Sequence, residues 1–197
     1  MLLGLVGSEM CIRDRDNEAL HGYNSFGEEI DGFPFQSTDR VRSSPAIGDV
    51  DNDGQLEVVF GNSSGKLYVV NHDGTQQLAY TILGLIEGTP ALVDVDGDQD
   101  LEIAFTTTTT SGGQLYVIHH NGITMSGFPK ELGSMWTGPA VHDIDNDGIY
   151  DIICATYDKE VYAVNVDGGA IKSGFPVTTE GRLDISPTVV DVDSDGD

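Results

Sequence analysis

The chain has 197 residues, 39% of them hydrophobic, which is enough for a packed core. Its 33 acids against 9 bases give a formal net charge of -24, which argues against a nucleic-acid partner or an anionic membrane surface, since both are held through Lys and Arg. No stretch is long and apolar enough to span a bilayer, and runs of Val, Ile, Leu and Tyr set the chain apart from acidic disordered segments.

Residues 1–15 share no pattern with the rest of the chain. They lack the basic region, apolar core and cleavage site of a signal peptide, and no fold is read from them. Residues 16–40 read as the end of one structural unit, with a turn at Gly27 and an aromatic at Phe33. The unit 41–84 is the first to show the full pattern. A short strand follows Pro45, then the acidic loop from Asp49 to Glu57, then the strand "LEVVFG", the turn "NSSG" and the strand "KLYVVN". The Gly turn "HDGT" and a weaker strand ending near Tyr80 complete it. The pattern returns over 85–132 and 133–180, and begins again over 181–197. Turn residues sit where an antiparallel meander needs them, and no window has a sustained helical period.

Independent markers share one period. The first Asp of each acidic loop is Asp49, Asp94, Asp143 and Asp191, and each loop is preceded by a proline at 45, 90, 139 and 187. Glycines at 27, 74, 122 and 169 are each followed six residues later by an aromatic. A period of about 45 residues points to a solenoid, propeller or array. The strands are apolar on both faces: in "KLYVVN", Leu67 and Val69 point one way, Tyr68 and Val70 the other. Burial of both faces requires sheets stacked on sheets. Four short strands per repeat, stacked radially, predict an all-β propeller of four-stranded antiparallel blades in an open arc. A two-sheet sandwich is the alternative, and it does not demand so regular a period.

The acidic loops carry the chemistry. In the first, side-chain oxygens fall at positions 1, 3, 5 and 9 (Asp49, Asp51, Asp53, Glu57), with Gly54 at position 6 and the backbone carbonyl of Gln55 at 7. The second offers Asp94, Asp96, Asp98, Asp100 and Glu102. The third offers Asp143, Asp145, Asp147, the carbonyl of Ile149, and Asp151. The fourth shows Asp191, Asp193 and Asp195. Alternating carboxylates around a Gly turn supply hard oxygen ligands that suit Ca²⁺, as in the first half of an EF-hand loop, better than octahedral Mg²⁺. One Ca²⁺ per loop, up to four, is expected. EF-hands and dockerins continue into a helix, whereas position 12 here is Phe60 or Phe105, inside strands. In the second loop Gln99 replaces the glycine. If position 6 needs a positive φ, Gln costs about 1 kcal/mol there, and the extra carboxylate of Asp100 is expected to offset this.

The motif D-x-D-x-D-G-x-x-[DE] between two blade strands resembles the FG-GAP or VCBS repeat family, as in integrin α-chain propellers. The "GFP" triplets at 127–129 and 174–176 resemble its bacterial secreted branch. The resemblance covers residues 19–197. It implies a Ca²⁺-binding propeller of seven or eight blades within a larger extracellular or cell-surface protein, and it implies no reaction. Residues 5–15, "LVGSEMCIRDR", resemble instead a translated sequencing-library adapter, and the chain is expected to be part of a longer reading frame.

No recurrent nucleophile and base arrangement is visible, so no catalytic residue is assigned and the segment is not expected to be an enzyme. The alternative is the propeller of a polysaccharide lyase, or of another secreted enzyme whose catalytic residues lie elsewhere. A quinone-binding propeller would dock its blades with a Trp each, and Trp136 is the only Trp. Cys154 reads as a buried hydrophobe. In an up-and-down blade the acidic loops share one face with the turns between third and fourth strands. The other face is expected to hold 62–64, the Thr106–Thr110 run as a flexible hairpin tip, Met135, Trp136, 157–159 and Arg182. That face is the candidate for a protein or glycan ligand. Other domains of the same chain are expected, and no membrane insertion.

Overall fold

The computed structural model describes residues 10–14 and 18–191. Asp193 and Asp195 lie outside the described residues. Every regular element among those described is a strand, and none of the residues searched forms a helix long and apolar enough to cross a membrane.

The strands group into four antiparallel sheets in sequence order. The first holds β1 (Met10–Asp14), β2 (Ala19–Tyr23) and β3 (Phe35–Gln36). The second is a meander of β4 (Ala46–Gly48), β5 (Glu57–Gly61), β6 (Lys66–Val70) and β7 (Gln76–Thr81). The third repeats it with β8 (Ala91–Val93), β9 (Glu102–Thr106), β10 (Gln114–Ile118) and β11 (Lys130–Glu131). The fourth does so with β12 (Ala140–His142), β13 (Asp151–Ala155), β14 (Glu160–Asn165) and β15 (Val177–Thr178). The short first strands β4, β8 and β12 neighbour one another in series, as the inner strands of radially arranged blades must. The arc is open.

The interior lies between blades. Tyr68 and Val70 pack with Leu20, Phe33, Val41, Val58 and Phe60 toward the first sheet. Their neighbours Leu67 and Val69 pack with Ile103, Phe105, Tyr116 and Ile118 toward the third. The two-sided strand read from "KLYVVN" is therefore a strand sandwiched between sheets, with alternate residues serving two cores. Aromatic rings reinforce both: Phe60 stacks on Tyr68 at 5.3 Å between centroids, and Phe105 on Tyr116 at 5.1 Å. Between the third and fourth sheets, Leu115 and Val117 meet Ile152, Cys154 and Val164. Cys154 is a free, buried thiol, and burial pushes its pKa up to about 12, so it stays an inert hydrophobe.

Three expectations are revised. The fourth strand ends near the aromatic only in the second sheet, where Tyr80 lies inside β7. In the other sheets Phe33, Phe128 and Phe175 each precede a proline through a cis peptide bond, and the strand lies just beyond it. Only the end of the Thr run, with exposed Thr110, forms a hairpin tip: Thr106, Thr107 and Thr108 are buried, with Thr106 Oγ1 donating to the Thr137 carbonyl at 2.5 Å and Thr108 paired with Leu85. Residues Met10–Asp14, within the leader from which no fold was read, pair along β2 in the place of a second blade strand.

Candidate metal centres

Each of the three described acidic loops connects the first and second strands of a blade. Its fold follows from its own side chains. The position-1 Asp accepts backbone N–H groups from across the loop: Asp49 from Asp53 (3.0 Å) and Gly54 (2.9 Å), Asp143 from Asp147 (3.1 Å) and Gly148 (2.8 Å). The position-5 Asp accepts from position 7, as Asp53 does from Gln55 and Asp147 from Ile149, each at 2.8 Å. These bonds curl the backbone so that alternate carboxylates converge. Ligand oxygens of Asp49, Asp51 and Asp53 lie within 4.8 Å of one another, and the same holds for Asp94, Asp96 and Asp98 and for Asp143, Asp145 and Asp147.

The position-9 acids sit one layer deeper. Glu57, Glu102 and Asp151 open the second strand of each blade, are buried, and accept the N–H of position 2 (Val50 at 2.9 Å, Val95 at 3.0 Å, Ile144 at 3.3 Å). They tie the loop to the sheet. Burial raises the Glu57 carboxyl from 4.5 to about 7; the Asp51, Asp53 and Asp49 carboxylates add to this, and the Val50 N–H opposes it. Burial likewise raises Glu102, against the pull of Val95 and His119. Such a carboxyl favours its protonated form unless a cation stands beside it.

The curl requires two residues with positive φ. In the first and third loops these are Asn52 and Asn146 at position 4 (φ 55° each), then Gly54 and Gly148 at position 6 (φ 87° and 86°). The second loop exchanges the order: Gly97 takes position 4 at φ 81°, and Gln99 takes position 6 at φ 80°. Position 6 thus has the left-handed conformation anticipated for it, and Gln99 bears its cost. Asn tolerates that region better than most side chains, which is why the Gly can move. The Asp94 bonds shift accordingly, to the N–H groups of Gly97 (2.7 Å) and Gln99 (3.2 Å). Asp100, expected as an extra ligand, lies 2.9 Å from His120 Nδ1.

Sequence reasoning missed the residues that reach these loops from the turn between third and fourth strands and from the start of the fourth strand. Gln77 Nε2 donates to Asp51 at 2.8 Å. His119 Nδ1 lies 2.9 Å from Glu102 and 3.9 Å from Asp96, and these three also have ligand atoms close enough to share an ion. Lys172 Nζ lies 2.6 Å from Asp145, 2.7 Å from Asp151 and 3.7 Å from Asp147. The signal was present in register: Gln77 and Lys172 each stand three residues after a marker glycine, Gly74 and Gly169. Their contacts also bear out that loop and turn share one face.

The donor set fits a hard divalent cation. It is carboxylate-rich, and Asp51 Oδ1 and Asp151 Oδ1 are buried with no hydrogen-bond partner, so each has a lone-pair face left to satisfy. Asp191 is described but its loop is not, so the fourth site lies outside the described residues.

On the opposite face, Asn62 and Met135 prove to be interior residues. Asn62 Oδ1 accepts the N–H groups of Ser64 and Lys66, and Met135 packs between the third and fourth sheets. Trp136 remains exposed at 44%, with its ring 6.3 Å from that of Tyr157. Arg182 lies over Tyr157, its Cζ 4.4 Å from the ring centroid, and donates to the Tyr157 hydroxyl at 2.9 Å.

Comparison with known proteins places this architecture. The model of the FG-GAP-like repeat matches residues 49–105 and 94–154, together more than half of the 197. No curated protein matches. Among solved structures, BamB from Moraxella catarrhalis superposes with a TM-score of 0.67 at 18% identity, covering 97% of this chain and 52% of that one. The C-terminal domain of Pseudomonas aeruginosa PilY1 gives 0.62 at 15% identity, covering 82% and 39%. BBS1N, in its complex with ARL6DN, gives 0.64 at 14% identity, covering 91% and 55%. The chain spans about half the length of these structures or less, and they share its propeller-like fold. With the repeat matched twice, across loops and strands of three successive blades, this chain belongs to the FG-GAP-like repeat family.

Proposed function

We propose that this chain is a calcium-stabilised propeller module of a secreted or cell-surface protein, and that it serves adhesion or the binding of a protein or glycan. The observation that carries the calcium reading is the same three-Asp group at the same place in three successive blades. Millimolar extracellular Ca²⁺ suits exposed loops of this kind. The ion would neutralise the converging carboxylates and fix the first and second strands of each blade together.

The ligand face is the one opposite the metal loops. There Trp136, Tyr157 and Arg182 form an exposed group of flat side chains, and Trp136 also borders a recess of about 410 Å³ shared with Arg42, Glu87 and Asp184. Aromatic faces with a few charged groups suit a sugar ring or a protein loop. The test is a binding screen of the full chain, in millimolar Ca²⁺, against arrayed glycans and matrix proteins, repeated with Trp136→Ala. The reading expects a hit that Trp136→Ala weakens about tenfold or more without changing the melting temperature. A hit indifferent to Trp136→Ala and lost on substitution at the loop face would move the ligand site. The other domains of the whole protein would decide whether the module serves an enzyme.

A further inference from the structure

The first and third acidic loops differ in what the turn between third and fourth strands, or the start of the fourth, places against them. At the position three residues after the marker glycine, the second sheet has Gln77, a neutral donor to Asp51. The fourth sheet has Lys172, whose side chain is 14% exposed and whose ammonium contacts the position-3, position-5 and position-9 acids of the third loop together. Asp151, its deepest partner, has no exposed side-chain surface. The backbone holds the turn in place, with the Lys172 N–H donating to the Ala163 carbonyl at 2.9 Å in β14. A cation thus already stands where the carboxylates of this loop converge.

We propose that Lys172 is a built-in counter-ion for the third loop, which keeps that loop closed without metal and makes it take up calcium far less readily than the first. The inference rests on the reading of these loops as calcium sites. Its physics is competition. The ammonium and a divalent ion need the same oxygens, Asp145 Oδ1 and Asp151 Oδ2. Calcium enters the third loop only when Lys172 swings out, and its apparent affinity falls by the fraction of molecules in which that has happened. The first loop carries no such charge, because Gln77 neutralises nothing. The module then holds one blade closed by its own sequence and others by the ion, so metal removal loosens the blades unequally.

The test follows each loop separately. The Gly54 amide donates to Asp49 and the Gly148 amide to Asp143, so both report on the position-1 carboxylate. Calcium is titrated into the metal-stripped full chain labelled with ¹⁵N, and both amide resonances are followed. The wild-type chain should show Gly54 shifting at roughly tenfold lower calcium than Gly148, or lower still. Lys172→Gln, which gives the fourth sheet the residue of the second, should bring the Gly148 midpoint down to that of Gly54. The reciprocal Gln77→Lys should raise the Gly54 midpoint about tenfold and leave Gly148 unchanged. If Lys172→Gln does not fold without metal, the reciprocal variant decides the matter alone. Coincident midpoints in the wild-type chain, or midpoints that ignore both substitutions, overturn the proposal. If neither amide moves in excess calcium, the calcium reading itself fails, and the two failures are told apart by Gly54.

Discussion

Glu57 offers the most quantitative test of how the loops are stabilised. Its carboxyl is buried beneath three aspartates, and its pKa stands at about 7 in place of the usual 4.5. A folded-state value above the unfolded one means that the protonated acid favours the fold. That contribution is fully present below pH 4.5 and is lost as pH rises through 7. The difference corresponds to about 3 kcal/mol, at 1.36 kcal/mol for each tenfold change in proton affinity. For a chain of this size that is about 6–12 °C in melting temperature. Metal-free protein should therefore melt about that much lower at pH 8 than at pH 5 on account of Glu57 alone. Bound calcium should remove most of this slope, because the ion favours the ionised form. Glu57→Gln should flatten the metal-free slope while its amide oxygen still accepts the Val50 N–H. The assay is differential scanning calorimetry at pH 5 and 8, with calcium and with excess chelator, for the wild-type chain and the variant. A metal-free pH slope that Glu57→Gln leaves intact would refute the reasoning.

Gln99→Gly should relieve the left-handed strain in the second loop and stabilise the protein by about 1 kcal/mol, read as a rise in the denaturation midpoint. A loss of stability would mean that the Gln99 side chain does something its backbone does not reveal. Phe105→Ala removes a fully buried ring that stacks on Tyr116 and meets Tyr80 across the blade interface, and should cost about 3–5 kcal/mol in chemical denaturation. A cost below about 1 kcal/mol would mean that blade packing carries less of the fold than the paired cores indicate.

Much of this was legible in the sequence because it repeats. One copy of "DVDNDGQLE" is an acidic turn; several in register, each ahead of a β-branched run, define a blade and its loop together. The two-sided burial of β6 was readable from Leu67, Tyr68, Val69 and Val70 because a strand alternates its side chains. What stayed hidden depended on contacts between segments. Thr106–Thr108 look polar and mobile, yet they are buried: the Thr106 hydroxyl donates to the Thr137 carbonyl, the Thr107 hydroxyl to the Gln114 carbonyl, and the Thr108 backbone pairs with Leu85. Met135 looks like a loop residue and serves a core. The position-9 acids read as equal members of the ligand set, whereas their burial and their bonds to the position-2 amides make them the base of each loop. The marker glycines gave the register of Gln77 and Lys172, but only the folded turn shows that both side chains reach back to an acidic loop.

The central claim is that the repeated acidic loops bind calcium and that the bound ion holds the blades. Calorimetric titration of calcium into the chelator-stripped full chain, paired with melting curves before and after, tests it most directly. Seventeen of the 33 acids lie in the four repeated loop segments, so removing the counter-ion should be felt throughout the fold. The account predicts saturable binding, and a melting temperature that falls by many degrees in chelator and recovers with calcium but not with an equal concentration of magnesium. No binding heat at any temperature tried, together with an unchanged melting curve in excess chelator, would contradict it.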